Sequence, residues 1–213
     1  MQDPVSYVLS SARTLVELGG PVVAVQIAVS VVGLALVLYK FFQFGLLNSG
    51  RFEPLRRAVA LWQQGDRDQA RSQLDKSGLA LAGDVKFGLE HLDTAPRDAL
   101  REELARRGTG FVKPYGSLLR SIELIYYLSP VLGLLGTVLG MIDAFRDLAA
   151  VAGADQNSNA LAAGIWEALL TTAVGLVIAI PFTVFHAMLE TRYERIGDYS
   201  ADVLTRVMTA KVA

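Results

Sequence analysis

The 213-residue sequence has no cysteine, which removes disulfides, thiolate metal sites and thiol nucleophiles together. It has two histidines, His91 and His186, expected in an exposed loop and near a membrane surface respectively. With no second imidazole or thiol near either, a metal site is not expected. HExxH and Gly-x-Ser-x-Gly patterns are both missing, so an intramembrane hydrolase would lack its nucleophile and its base, and the chain is not expected to be an enzyme. A one-sided charge is missing too. Formal net charge is -1 and aromatics are 8% of residues, whereas nucleic-acid binding wants a basic stripe interleaved with aromatics. Trp62 and Phe87 alone do not supply one, and no nucleic acid is expected as a partner.

Charge is also absent locally, over three runs: 22 residues from Leu18 to Tyr39, 19 from Leu124 to Ile142 and 22 from Ala168 to Leu189. Each is long enough to cross a hydrocarbon layer of about 30 Å as a helix. With 52% hydrophobic residues, the composition is that of an all-α, three-span membrane protein. Asp3, Arg13 and Glu17 before the first run make no basic leader region, and no small-residue cleavage pattern follows, so that run is expected to be a retained anchor. Residues 45–122 carry 13 basic and 10 acidic side chains, while the connection between the second and third runs has only Arg146 as a base. Arg192, Arg195, Arg206 and Lys211 follow the third run. The positive-inside rule then places the N-terminus outside and the C-terminus in the cytoplasm.

The expected organisation is an amphipathic helix on the outer surface over residues 1–20, transmembrane helices over 21–44, 123–145 and 159–190, a cytoplasmic helical domain over 45–122, an outer loop over 146–158 and a cytoplasmic helical tail over 191–213. The first of these has apolar residues at Val5, Val8, Leu9, Ala12, Leu15 and Val16, with Asp3-Pro4 as a start and Gly19-Gly20 as a stop. Breaks are expected at Gly65, Gly78, Gly83 and Gly108, and Asp66 is a candidate N-cap. The tail keeps a helical period through Ile196, Tyr199, Val203 and Val207, so the long helices are expected to extend into the cytoplasm.

The second run contains "SPVLGLLGTVLGM". At 100° per residue Ser129, Gly133, Gly136, Thr137 and Gly140 share about a quarter to a third of the helix circumference. In lipid such a stripe lets another backbone approach closely, so these glycines are packing residues. The third, "GIWEALLTTAVGLVIAIPFTVF", places Gly164, Glu167, Ala168, Thr171, Thr172, Gly175 and Ala179 on one side, within roughly 140°. A polar side cannot face lipid; it packs on a neighbour or lines a hydrated path. Three readings stand for Glu167, as a surface carboxylate that snorkels outward, as an interhelical strut or as a partly buried ion-path carboxylate. Thr137, Thr171 and Thr172 either line that path or bond back to their own helices. Pro181 lacks an N–H and is expected to bend the helix.

Together these two segments, some 25 residues apart, resemble the signature of the TolQ/ExbB/MotA proton-channel family, over about residues 115–195. The outer N-terminus and the large loop after the first span are similar to the TolQ and ExbB branch; MotA-type stators have a fourth span. The resemblance implies a bacterial inner-membrane subunit with a periplasmic N-terminus, forming a homopentameric ring in which the second and third helices line a pore. It also implies a smaller single-span ExbD- or TolR-like partner, present as a dimer and carrying a membrane aspartate, and a TonB- or TolA-like protein beyond it. By position Thr137 and Thr172 match the pore-lining threonines and Glu167 the outer carboxylate; Gly133, Gly136, Gly175 and Pro181 match as well. The implied function is use of the proton motive force to energise TonB-dependent uptake or Tol-Pal envelope maintenance, with no cofactor. Many proton-coupled relatives have Ala-Thr where this chain has Thr171-Thr172, and sodium-coupled stators resemble the double-threonine form. Sodium is therefore an alternative ion, since a hard cation needs oxygen ligands. A passive membrane scaffold is the alternative in another class, permitted by the packing stripes alone.

Overall fold

A computed structural model describes residues 4–45, 52–150 and 154–210 of the chain. Helices α1 (Pro4–Gly45), α2 (Glu53–Gln63), α3 (Arg67–Ser77), α4 (Leu81–His91), α5 (Arg97–Gly116), α6 (Leu119–Ala150) and α7 (Ala154–Thr209) follow one another, with no strand among the described residues. Three stretches are long and apolar enough to cross a membrane, within Arg13–Gly45, Arg97–Ala149 and Leu161–Thr209. The all-α, three-span class read from the sequence is the one observed.

The chain divides into two compact units. The first takes α1 up to Leu38, α6, and α7 up to Ala187. Helix α1 is interrupted once, at Gly20 (φ 64°, ψ −163°), a conformation essentially closed to side-chain-bearing residues, and Pro21 restarts it. Asp3, the expected start, lies outside the described residues. Helices α6 and α7 run antiparallel: Gly164 lies against Ala144, Gly140 against Ala168, Gly136 against Thr171, and Gly175 against Ser129. Helix α1 lies alongside and parallel to α7, with Gln26 reaching Thr171 and Gly33 facing Phe182. The outward side chains of this unit are apolar, Val31, Leu134, Val177 and Ile180 each being more than 60% exposed. Such a coat belongs in hydrocarbon or against another subunit, not in water.

The second unit comprises residues 39–117 and the end of α7 from Met188. Its helix α2 is amphipathic, burying Leu55, Ala58, Val59 and Trp62 at helical spacing. The Asp66 carboxylate accepts from the Gln69 backbone N–H at 3.1 Å, capping α3, and Gly78 closes that helix in the left-handed conformation. Tail residues Ile196, Val203 and Val207 are buried, and the stacked rings of Phe52 and Tyr199 lie 5.4 Å apart. Hydrogen bonds from Arg106 and then Arg107 hold the Glu103 carboxyl down to about 2.

Several expectations need correction. Gly83 and Gly108 interrupt nothing: α4 and α5 run through them. Gly108 is instead a close-approach point, since a Cβ there would fall 2.6 Å from Leu204 Cδ1. Residues 146–150 and 154–158 of the expected outer loop are helical, residues 151–153 lying outside the described set. His91 is half-buried at the end of α4, its Nδ1 2.8 Å from the Phe87 carbonyl oxygen. His186, expected near a membrane surface, is buried beside Tyr126 with the rings 5.4 Å apart, which leaves that expectation standing.

Candidate functional site

The seam between α6 and α7 is built on small residues, and the geometry shows why. A Cβ on Gly133 would lie 2.9 Å from the Thr172 Cα and 3.0 Å from the Thr171 carbonyl oxygen, and one on Gly175 would lie 2.5 Å from the Ser129 carbonyl oxygen. These are backbone atoms that cannot swing aside. The two helices touch main chain to main chain, which is how dispersion contacts replace the hydrophobic drive that lipid does not provide.

The three threonines are placed differently. Thr171 is buried, and its hydroxyl is within bonding reach of the Ala168 carbonyl at 2.7 Å and the Gly133 carbonyl at 3.0 Å, so its one proton is shared inside the seam. Thr172 is half-buried at the edge of the seam and donates to the same Gly133 carbonyl at 3.0 Å. Thr137 donates to its own helix, to the Leu134 carbonyl at 2.6 Å. Thr171 and Thr172 therefore converge on one α6 carbonyl, and Thr137 does not join them.

Glu167 is exposed in the single chain. Its carboxylate overlies Gly20: a Cβ there would be 2.7 Å from Glu167 Oε1. It thus sits beside the first turn after the α1 interruption, where free N–H groups and the helix dipole favour negative charge. Residue 20 is glycine because of its backbone conformation, φ 64° and ψ −163°, since the Glu167 carboxylate could swing aside.

Two functional candidates escaped sequence reasoning. Gln26 is fully buried in the first span. Its Nε2 donates to the Thr171 carbonyl at 3.1 Å and, at 3.5 Å, to the Ser129 carbonyl, while its Oε1 is buried without a hydrogen-bond partner. Two such bonds add about 0.6 kcal/mol each in a membrane protein, and a buried unpaired carbonyl costs about 1–3 kcal/mol. The amide therefore adds little net stability. Lys40, also fully buried, donates to Gln43 Oε1 at 2.8 Å and to the Tyr115 and Pro114 carbonyls at 3.0 and 3.4 Å, closing the end of α5. Neither stands out in a hydropathy reading, where one amide leaves a span apolar and one lysine merely ends it. Among the described residues no His, Cys, Asp and Glu group could hold a metal.

A family model described as the MotA/TolQ/ExbB proton channel family matches residues 63–200. The biopolymer transport protein exbB1 of Vibrio cholerae serotype O1 is 51% identical over 67 residues, 32% of this chain and 29% of that protein. An ExbB-like biopolymer transport protein of Synechocystis is 31% identical over 150 residues, covering 70% of this chain and 65% of its own length. The Tol-Pal system protein TolQ of Pseudomonas aeruginosa is 41% identical over 87 residues, 39% of this chain and 37% of the relative. The chain thus spans less than two thirds of each of these relatives. The seam, its threonines and its carboxylate all fall inside the matched region, and with more than half its length matched the chain belongs to the MotA/TolQ/ExbB proton channel family.

Proposed function

We propose that the protein is an ion-channel motor subunit of the bacterial inner membrane, using the proton motive force to energise a periplasmic or outer-membrane process of the TonB-dependent or Tol-Pal kind. The observation that carries this reading is Glu167: an exposed carboxylate one residue before the charge-free run of α7, beside exposed Trp166 and Leu169, cannot rest in lipid. It reaches the headgroup region, a second subunit or a hydrated path, and the family's signature around it favours the path. Thr172, at the seam edge on the same helix, is the hydroxyl closest to that role, and Thr137 would join it across a ring of protomers, a homopentamer by family resemblance. A single-span ExbD- or TolR-like dimer supplies the moving helix, and a TonB- or TolA-like protein carries the work outward. Moving one charge through ~100 mV yields ~2.3 kcal/mol, so a few ions per step suffice for motion of a partner. The N-terminus is periplasmic and the C-terminus cytoplasmic in this reading, no cofactor is needed, and no catalysis is assigned to the chain.

Protons rather than sodium are favoured by the burial of Thr171, whose hydroxyl oxygen is enclosed between α6 and α7 and out of reach of an ion on the surface of the seam. The test is proton flux in vesicles holding the protein with the single-span protein that copurifies with it, against vesicles lacking that partner. Flux that requires the partner, is lost in Thr172→Val and does not respond to sodium in either wild type or Thr171→Ala supports the reading. Partner-independent or absent flux would leave a passive scaffold, and a sodium requirement surviving collapse of the proton gradient would reassign the ion.

A further inference from the structure

We propose that Gln26 is a positioning residue for ion passage: its amide, seated in the space that Gly133 and Gly175 leave open, fixes the register of α6 against α7 and with it the placement of Thr172. This rests on the functional reading above. A Cβ on Gly175 would stand 3.0 Å from Gln26 Nε2, and one on Gly133 3.4 Å from it, so both glycines border the amide directly. The nitrogen is held between two main-chain carbonyls on different helices, Ser129 on α6 and Thr171 on α7. Slipping either helix by one residue shifts its carbonyl by about 1.5 Å and turns it by about 100°, which breaks the contact. An apolar side chain of similar length would fill the same space without leaving a carbonyl oxygen unpaired, but it would accept many registers. The amide accepts one.

The grip reaches Thr172 through covalent geometry. The Thr171 carbonyl and the Thr172 nitrogen belong to one planar peptide group, so a donor fixed on that oxygen fixes the plane from which Thr172 departs. Thr172 then donates back to Gly133, across from the same amide. Gln26, the Ser129 and Gly133 carbonyls and the Thr171–Thr172 peptide form one polar node contributed by all three spans.

Two substitutions separate positioning from filling. Gln26→Met keeps the bulk and removes the donor. Gln26→Glu keeps a donor only while its carboxyl is protonated. The groups that border the amide from α6 and α7, Ser129, Thr171, Gly133 and Gly175, carry no titratable side chain, so a pH dependence seen in Gln26→Glu relative to wild type belongs to position 26. Each variant is placed in vesicles with the copurifying single-span partner, its subunit count and partner retention are checked by native mass measurement, and its proton flux is divided by that of wild type at each pH. The expected result for Gln26→Met is wild-type assembly with flux reduced about tenfold or more at every pH. For Gln26→Glu it is a flux ratio close to one near about pH 5.5 that falls several-fold by about pH 8.5, as the donor is lost. Wild-type flux in Gln26→Met, or a flat ratio in Gln26→Glu, would overturn the proposal. If Gln26→Met fails to assemble, the pH ratio of Gln26→Glu decides alone. Wild-type vesicles without partner-dependent flux would instead sink the functional reading itself, an outcome distinct from any behaviour of the variants.

Discussion

Replacing Gly175 by alanine tests whether main-chain contact holds the α6–α7 seam together. The added Cβ would sit 2.5 Å from the Ser129 carbonyl oxygen, whereas carbon and carbonyl oxygen ordinarily stay at least about 3.3 Å apart. That oxygen is part of a helix and cannot rotate away, so α6 must retreat by roughly 1 Å. Overpacking of this kind costs about 1–3 kcal/mol. Retreat also stretches the 3.5 Å Gln26–Ser129 contact and the 3.0 Å Thr171–Gly133 contact, each worth ~0.6 kcal/mol in a membrane protein. Against this stands the gain in helix propensity of alanine over glycine, up to about 1 kcal/mol. The balance is a loss of about 1–3 kcal/mol, and at about 2–4 °C per kcal/mol for a chain of this size the midpoint of thermal unfolding should fall by about 2–12 °C. Far-UV circular dichroism in detergent micelles reads it. Gly110→Ala is the opposite-sign comparison, because nothing lies within 4 Å of its added Cβ in the interior of α5, and it should stabilise by about 0.5–1 kcal/mol. If Gly175→Ala unfolds at the wild-type temperature, or if both variants move the same way, close backbone contact is not what holds α6 to α7.

Glu167→Gln should keep its subunit count and partner while losing most of its proton flux; parallel loss of assembly and flux, measured on the same vesicles, would make the residue a strut. Gly20→Ala forces a side chain into φ 64° and against Glu167 Oε1, so a stability loss of about 1–3 kcal/mol should accompany reduced flux, and normal flux would uncouple the carboxylate from that contact. Lys40→Met removes the donor from the last carbonyls of α5 and should lower stability by about 1–3 kcal/mol in thermal unfolding. An unchanged midpoint would show that water caps those carbonyls as well as the ammonium does.

The three spans were legible because their signal is composition and length, properties that no tertiary contact can override in lipid. Asp66 and Gly78 were legible for a local reason too, each acting on its own turn. Gly83 and Gly108 misled because the breaking tendency of glycine is only a propensity: at Gly108 the close approach of Leu204 across the unit outweighs it. Gln26 was invisible for the reverse reason. Its meaning lies in two carbonyls 103 and 145 residues away, and every residue owns a carbonyl, so nothing in the side-chain sequence marks the partners. Burial of His186 likewise depends on neighbours such as Tyr126, contributed by another helix.

Helix α7 shows how one polar stripe is divided. Gly164, Ala168, Thr171 and Gly175, at spacings of four, three and four, all face α6 and make the seam. Glu167 precedes one seam residue and Thr172 follows another, so each is turned by about 100° from it, on opposite edges. The carboxylate is thereby left on the free surface over Gly20, and Thr172 stays half-buried. Under the proposed function the ion path can draw on these edges but not on the centre, where Thr171 is enclosed. The double threonine then combines two different tasks in adjacent residues. Thr171 packs its branched carbon against Gly136 and ties its hydroxyl to Gly133, while Thr172 holds its hydroxyl at the half-buried margin of the seam. An extra hydroxyl in the sequence is not an extra ligand in the path: at this position the helical period turns it inward, and an alanine there would change how firmly two helices hold before it changed which ion they pass.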